Sequence, residues 1–293
     1  MQPLVAIILI NYNGFDDTIE CVKSLDKISY DNYRIVVWDN GSTISPTSEQ
    51  LYFLKERTDY VEGEQNLGFA GGNNAAIRYA QNLHPAYWLL LNNDTIVTAD
   101  FLSVLVEKAE QRINAGIICG KIYWFDSGKK IWFAGGTYNP YTCSIRHSKL
   151  DEDDQDETDY VASIEFATGC MWLIRNLVWE EIGEMEESLF LYAEDTDYCR
   201  RVRAAGYQIY FCNKAVIYHK VSRSTGATSK NTQYYLVRNE LYIIGWHSKC
   251  KLLAYLVKLA RFFMDIVKGR KNVDPVVQGI HDYVLGVKGK RKE

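Results

Sequence analysis

The stretch YWLLLNNDT (residues 87–95) is a strand-length apolar run that ends abruptly in two amides and a carboxylate. Asn92, Asn93 and Asp94 can simply form the turn that ends a strand, because Asn and Asp are common turn residues. In a parallel α/β sheet, however, the carboxyl ends of the strands also present ligand-binding side chains. The rest of the chain decides between these interpretations.

The first 120 residues repeat a strand-then-helix pattern four times. Apolar, β-branched runs predict strands, and the amphipathic segments between them predict helices. The predicted strands are residues 5–10, 33–39, 60–66 and 87–91, and the predicted helices are residues 18–25, 45–54, 71–83 and 99–114. This alternation is typical of an α/β protein with a doubly wound, mostly parallel sheet. Right-handed crossovers bring the carboxyl ends of such strands to one edge.

After Gly116 this alternation stops. Residues 116–125 and 130–138 predict a hairpin, 164–175 a strand, 176–182 and 192–206 helices, and 207–211 and 215–219 further strands. The run 151–159 is acidic at seven of nine positions. It predicts a solvated, mobile loop, since like charges repel and this run lacks an apolar anchor.

Composition limits the class of protein. With 293 residues, 47% of them hydrophobic, the chain can bury a large core. The seven cysteines are odd in number and form no C-x-x-C pair, which indicates reduced thiols in the cytoplasm. Neither a signal peptide nor a run of roughly 18 apolar residues is recognisable, so we expect no membrane span.

The charge is unevenly distributed. Residues 249–293 hold 11 basic and 4 acidic residues, whereas residues 1–248 hold 22 and 33. Eight apolar residues in 251–271 keep the spacing of one helical face: Leu252, Leu253, Leu256, Leu259, Ala260, Phe263, Ile266 and Val267. This predicts a basic amphipathic helix that binds an anionic membrane surface. Packing on the catalytic domain or in a homodimer is the alternative. Nucleic acid is not favoured, because no reader motif is present.

Four predicted strand ends are small, polar and turn-prone: Asn11–Gly14, Asp39–Ser42, Asn66–Phe69 and Asn92–Asp94. Each can be an ordinary loop, but together they line the crevice where open α/β sheets bind ligands. Asp39 can accept hydrogen bonds from a ribose or base, and glycines let the backbone approach a nucleotide. The predicted ligand contacts here, which the family resemblance given below assigns to a nucleotide sugar, are Asn11, Asn13, Asp39, Asn66, Gly68, Phe69, Gly72, Asn73, Asn92 and Asn93. Neither a dinucleotide fingerprint nor a P-loop occurs.

Five segments together resemble the inverting nucleotide-sugar glycosyltransferases of family two. They are VAIILINYNG (5–14), VVWDNGS (36–42), NLGFAGGNNAAI (66–77), LLLNNDT (89–95) and LFLYAEDTDYCRRVRAAGY (189–207). The resemblance covers residues 4–240 and is greatest to the rhamnosyltransferase-like branch that builds bacterial surface polysaccharides. It implies a GT-A fold, a cytosolic catalytic domain and a divalent metal.

From this resemblance we predict a catalytic domain and a tail. The catalytic domain is residues 1–245, divided into a nucleotide-sugar-binding half (1–120) and an acceptor and catalytic half (121–245). Residues 246–293 are the basic amphipathic helical tail.

The resemblance places Asn92-Asn93-Asp94 at the family's D-x-D metal motif. Asp94 is then the expected ligand of Mg²⁺ or Mn²⁺, since hard cations take carboxylate and diphosphate oxygens. His219 is the expected second ligand, because the family often has a histidine there. Asn92 is neutral where many relatives have Asp, so metal affinity without nucleotide is expected to be weak. Arg223, with Ser222 or Ser224, is expected at the diphosphate.

The resemblance also assigns the catalytic base. Carboxylates such as Glu194 and Asp195 at a helix start can be explained by the helix dipole alone. Inversion, however, needs a base that takes the proton of the acceptor hydroxyl, and by resemblance Asp195 is that base. Glu194 is expected to hold the acceptor or to raise the pKa of Asp195 by repulsion. Trp172 is predicted to stack on the acceptor sugar, with a place in the core as the alternative.

The sequence thus predicts a metal-dependent, inverting glycosyltransferase. Its first-choice reaction moves L-rhamnose from dTDP-rhamnose to a glycan or polyprenyl-linked acceptor, in the cytoplasm and peripherally on the inner face of the plasma membrane. A UDP-hexose-dependent transferase and a non-catalytic module that binds nucleotide or glycan remain alternatives. A sugar nucleotidyltransferase is not favoured, because the first loop, NYNGFDD, is acidic.

Overall fold

The computed structural model describes residues 2–156, 158–220 and 229–291. Its strands are β1 (Val5–Asn11), β2 (Tyr33–Asp39), β3 (Asp59–Glu62), β4 (Tyr87–Asn92), β5 (Thr95–Val97), β6 (Ala115–Trp124), β7 (Ile131–Phe133), β8 (Gly136–Tyr138), β9 (Ile145–His147), β10 (Val161–Ile164), β11 (Met171–Arg175) and β12 (Gln208–His219). Its α-helices are α1 (Phe15–Leu25), α2 (Ser48–Arg57), α3 (Gly68–Ala80), α4 (Phe101–Glu110), α5 (Asn176–Ile182), α6 (Glu194–Ala204), α7 (Lys230–His247), α8 (Lys251–Val267) and α9 (Val273–Val284).

The first four strands form the predicted parallel, doubly wound sheet. The main sheet has the order β10-β12-β6-β11-β4-β1-β2-β3, and β1 pairs in parallel with both β2 and β4. Val5 to Leu9 of β1 are fully buried, as expected for a strand covered on both faces. The register aligns the ends of β1 and β2 at Asn11 and Asp39. The third strand is shorter than predicted.

The second half of the chain completes the same sheet. β11 is antiparallel and lies between β4 and β6, so both predicted halves contribute to one core. β12 runs parallel to β6 past an irregularity between Cys212 and Val216, and it ends at His219. The predicted hairpin is confirmed for β6 and β7, but the second predicted strand, 130–138, is divided into β7 and β8, and β8 pairs with β9 instead. The predicted strand 164–175 is wrong in extent, because residues 165–170 form a connection between β10 and β11.

The acidic run is anchored, contrary to the prediction for it. Asp154 accepts hydrogen bonds from the Lys121 ammonium and the Tyr123 hydroxyl of β6. Burial alone would raise the pKa of Asp154, but these two partners lower it below its ordinary value. A buried ion pair therefore supplies the anchor that the apolar pattern lacks.

The tail differs from an ordinary packed helix. The predicted boundary at residue 245 falls inside α7, which the sequence did not predict. In α8 the apolar side faces solvent, with Leu252 73% and Phe263 67% exposed. Lys258, on the opposite side, is buried and pairs with Glu240 at 2.9 Å. None of the described helices combines the length and apolar character needed to cross a bilayer.

Candidate active site

The first two strand ends are tied together by asparagine side chains. Asn11 Nδ2 donates to Asp39 Oδ1 at 3.0 Å, and Asn13 Oδ1 accepts from the backbone N–H of Thr43 at 2.8 Å. Asn13 is partly exposed, but Asn11 is fully buried. In this structure Asn11 therefore orients Asp39, and its direct contact with a nucleotide stays a prediction. Asp39 is 7% exposed, at the end of β2.

The second and third strand ends meet at Asn40, which sequence reasoning left out of the site. Its Nδ2 donates to the carbonyl of Gly68 at 3.0 Å, and its Oδ1 accepts from the N–H of Leu67 at 3.1 Å. Asn66 Oδ1 in turn accepts from the N–H of Gly68 at 2.8 Å. These bonds fix the start of α3 beside the crevice.

Gly72 and Asn73 have packing contacts within the chain, and their contact with a nucleotide stays a prediction. A Cβ on Gly72 would lie 3.0 Å from Ile10 Cγ2, so this glycine lets α3 approach the sheet closely. Asn73 is buried, and its Nδ2 donates to the carbonyl of Phe69 at 2.9 Å. Asn66 and Phe69 remain partly exposed and stay as candidates for donor contact.

The predicted metal residues Asp94 and His219 form a buried pair. Asp94 Oδ1 lies 3.0 Å from His219 Nε2, and the two side chains are 4% and 7% exposed. Antiparallel pairing of β5 with β12 brings them together, since Thr95 lies opposite His219. Burial by itself would lower the pKa of His219, but Cys170 and the Asp94 carboxylate raise it to about 10.

The chemistry of this pair fits a divalent cation. A carboxylate and an imidazole are both ligands of such ions, and the buried His219 Nδ1 has no hydrogen-bond partner among the described residues. Asn92 Nδ2 lies 3.4 Å from His219 Nε2, so the amide borders the same position. The described ranges contain no group of three or more His, Cys, Asp and Glu side chains placed to hold a metal. Asn93 points elsewhere and donates to Thr18 Oγ1 at 2.8 Å.

Glu194 and Asp195 begin α6, as predicted, and the pKa of each carboxyl group is raised. Burial raises the pKa of Asp195 to about 6, although the N–H groups of Thr196 and Gly169 lower it. Burial first, and then the charge of Asp195, raise the pKa of Glu194 well above its ordinary value. Both carboxyl groups of the pair therefore bind a proton more readily than they would in water. Burial, not Glu194, raises the pKa of Asp195.

A short segment, Gly169-Cys170, links the two pairs. The N–H of Gly169 points at Asp195 Oδ2 at 3.5 Å, and the carbonyl of Cys170 accepts from the N–H of Asn92 at 2.9 Å. A Cβ on Gly169 would lie 3.2 Å from the Phe69 ring and 3.6 Å from Asp195 Cβ. Phe69, Gly169 and Asp195 are thus neighbours.

The remaining predictions have different outcomes. Trp172 is fully buried in β11 and stacks on Tyr198 with ring centroids 5.6 Å apart, so the structure contradicts an acceptor contact for it. Asp197 also has a structural role, since it accepts hydrogen bonds from Arg201 and His247 at 2.8 Å each. Arg223, Ser222 and Ser224 lie outside the described residues.

The sheet is doubly wound and carries the Asp94–His219 pair. The Glu194–Asp195 pair lies on the other side of the short Gly169-Cys170 segment. This is the architecture of a GT-A glycosyltransferase. Comparisons with known proteins agree. The chain belongs to Glycosyl transferase family 2, which matches residues 6–183. Glu194, Asp195 and His219 lie beyond the matched residues.

Two curated relatives illustrate the range of similarity. The uncharacterized protein y4gI of Sinorhizobium fredii is 28% identical over 76% of this chain and 25% of its own length. Rhamnosyltransferase WbbL of Escherichia coli K12 is 26% identical over 71% of this chain and 80% of its own length. The chain thus spans only about a quarter of y4gI.

Two solved structures share the fold at low identity. S. aureus TarS in complex with UDP-GlcNAc has a TM-score of 0.63 at 13% identity, over 97% of this chain and 81% of that chain. Mannosyltransferase PcManGT from Pyrobaculum calidifontis, in complex with GDP-Man and Mn²⁺, has a TM-score of 0.60 at 13% identity, over 98% and 75%.

Proposed function

We propose that this protein is a metal-dependent, inverting glycosyltransferase in which Asp195 is the general base. The observation that carries the proposal is the carboxylate pair Glu194–Asp195 beside the Gly169-Cys170 segment, which in turn contacts Asn92 near Asp94 and His219. Burial raises the pKa of both carboxyl groups, and carboxyl groups with raised pKa are typical of acid–base sites. A module that only binds nucleotide or glycan has no need of such a pair.

Asp94 and His219 are the residues that would hold the cation, with diphosphate oxygens of the donor as further ligands. A bound Mg²⁺ or Mn²⁺ would stabilise the charge that develops on the leaving diphosphate. Asp39, which accepts a hydrogen bond from Asn11, would bind the ribose or base of the donor. The partly exposed Asn13, Asn66 and Phe69 line the same edge.

Asp195 accepts the proton of the acceptor hydroxyl while that oxygen attacks the anomeric carbon. The new C–O bond forms as the bond from the anomeric carbon to the diphosphate breaks, so the configuration inverts. Burial raises the pKa of Glu194, and in its protonated form this side chain can donate a hydrogen bond to an acceptor oxygen. Its Oε2 has no hydrogen-bond partner among the described residues, which leaves that atom for this contact.

L-Rhamnose from dTDP-β-L-rhamnose is the donor we propose first, with an α-linked product and a glycan or polyprenyl-linked acceptor. The motif resemblance and the similarity to rhamnosyltransferase WbbL support this choice. The two structural neighbours are complexes with UDP-GlcNAc and with GDP-Man, so both UDP-sugars and GDP-mannose belong in any test.

A panel of sugar nucleotides tests the function directly. The protein is incubated with each donor and Mn²⁺ or Mg²⁺, and both donor hydrolysis and thermal stabilisation are measured. We expect metal-dependent hydrolysis and stabilisation with dTDP-rhamnose. Stabilisation by UDP-sugars alone would reject the rhamnose assignment, and binding without turnover of any donor would favour the non-catalytic module.

We further propose that α8 rests on an anionic membrane. Its exposed apolar side would be costly in water, and the tail carries a net excess of seven basic residues. Leu252→Asp with Phe263→Asp should abolish co-sedimentation with phosphatidylglycerol vesicles. The matched control is Leu177→Asp, at an equally exposed leucine of α5. A dimer in sedimentation that these changes dissociate would instead assign the face to a second copy.

A further inference from the structure

Residues Leu189–Ala193, called the 189–193 turn, directly precede the proposed catalytic pair. The backbone of this turn has a disfavoured conformation. Phe190, Tyr192 and Ala193 have φ values of 65°, 69° and 73°. This left-handed region is uncommon for residues other than glycine, and it persists only where the surroundings impose it. The contacts around the turn must therefore fix it.

Asn239 of α7 provides the densest set of these contacts. Its Nδ2 lies 2.9, 2.8 and 2.9 Å from the carbonyl oxygens of Leu189, Leu191 and Tyr192, and donates to all three. An amide nitrogen carries two hydrogens, so two of these carbonyls share one. The side chain is fully buried. One amide group thus gathers the carbonyls of the turn.

Arg238 supports the same turn from its neighbouring position. Its Nη2 donates to the carbonyl of Leu189 at 2.9 Å, and its Nη1 donates to that of Gly289 at 2.8 Å. Its Nε donates to Asn239 Oδ1 at 2.9 Å, which orients that amide. The guanidinium is fully buried, and none of its hydrogen-bond partners among the described residues is a carboxylate. Two of the four hydrogen bonds that it makes within these residues go to backbone carbonyls.

The opposite side of the turn contacts the donor half of the site. The N–H of Phe69 donates to the carbonyl of Phe190 at 2.8 Å, and a Cβ on Gly68 would lie 2.0 Å from that oxygen. Gly68 has a φ of 75°, so both the approach and the backbone angle require glycine. The 189–193 turn thus lies between α3 and α7 and contacts both.

We propose that Asn239 and Arg238 are positioning residues that hold the 189–193 turn so that the carboxylates at the start of α6 face the donor. The catalytic part of this inference rests on the proposed function. Its structural part does not, because fixation of the turn can be measured without turnover.

The test uses the full chain with Asn239→Ala and the isosteric Asn239→Asp, which removes the donors and sets an anion against the carbonyls. Hydrogen exchange is followed by mass spectrometry over residues 189–197. Turnover is measured with the sugar nucleotide active in the donor panel, and calorimetry with UDP and dTDP plus Mn²⁺ measures nucleotide affinity. Asn213→Ala is the matched control, since Asn213 is buried and donates to the carbonyl of Thr158 at 2.6 Å.

We expect faster exchange over residues 189–197 and a kcat lower by roughly 100-fold, because small misplacements of reacting groups are costly. Nucleotide affinity should stay within about threefold of wild type, since the loss belongs to the chemical step. The acid limb of the pH–rate profile should also move to lower pH, because exposing Asp195 to water lowers its pKa. Arg238→Lys keeps the positive charge but loses the planar set of guanidinium donors, so it should lower kcat less than Asn239→Ala does. It replaces the Asn239 variants in the test if those fail to fold.

Unchanged exchange over residues 189–197 would overturn the proposal. The proposal would also be overturned if Asn239→Ala lowered kcat no more than Asn213→Ala does at the same loss of melting temperature. A loss of nucleotide affinity as large as the loss of kcat would overturn it as well. If Asp195 is not the base, the result is different: Asp195→Asn keeps its turnover, while Asn239→Ala still speeds hydrogen exchange over residues 189–197.

Discussion

The two pairs at the sheet edge combine different groups. Asp94 and His219 lie 3.0 Å apart, and the carboxylate and the unprotonated imidazole are both ligands of divalent cations. Glu194 and Asp195 are like groups, and burial raises the pKa of both. The first pair is therefore suited to a cation, and the second to proton transfer.

Removing the carboxylate of the first pair should have the largest effect. We expect Asp94→Ala to abolish metal-dependent nucleotide binding and to reduce transfer by roughly 1,000-fold or more, because metal stabilisation of the leaving group contributes several kcal/mol. Calorimetry with UDP or dTDP and Mn²⁺ measures the binding.

The control for this change is Asp100→Ala, at an exposed aspartate before α4, which should bind nucleotide like wild type. Full transfer activity in excess chelator would contradict a metal role for the Asp94–His219 pair.

Acid should lower kcat/KM by protonating Asp195 of the second pair. Because a base must be unprotonated to act, and the pKa of Asp195 is about 6, kcat/KM should fall about tenfold per pH unit below pH 6. Glu194→Gln should keep this limb, since the amide resembles the protonated acid. If the limb disappears in Glu194→Gln, then Glu194 is the titrating base.

Adding charge to the first pair should have a smaller effect. Asn92 borders His219 but is neutral, so Asn92→Asp should raise the affinity for Mn²⁺ without nucleotide by about tenfold through added Coulomb attraction. Asn93→Asp adds the same charge where the side chain faces Thr18, and should gain less. Equal gains in the two variants would mean that Asn92 does not border the metal.

Much of the fold follows from local patterns in the sequence. β1, β2 and β4 are apolar runs of strand length, and their polar ends predict the crevice. The pairing of Asp94 with His219, 125 residues apart, depends on β5 and β12, and it was predicted by family resemblance rather than by periodicity. The same holds for Asp195 at the start of α6.

Other features leave little local signal. α7 is buried on most sides, so its apolar residues show no single-faced period, and Arg238 and Asn239 resemble surface residues in the sequence. Phe190 and Tyr192 have no preference for the left-handed region, so the turn before Asp195 cannot be read from them. Gly72 illustrates a further limit, because a glycine needed for helix packing and one needed for a ligand look alike. The anchor of the acidic run depends on Lys121, which is distant in sequence.

The most direct test of the account is single-turnover transfer by Asp195→Asn at saturating donor, alongside donor affinity by calorimetry. The substitution keeps the size of the side chain but removes its ability to take a proton. We expect the rate to fall by about 10²–10⁴-fold, roughly 3–5 kcal/mol of barrier, with donor affinity preserved. A rate near that of wild type would contradict the assignment of Asp195 as the base, and loss of donor binding would make its role structural.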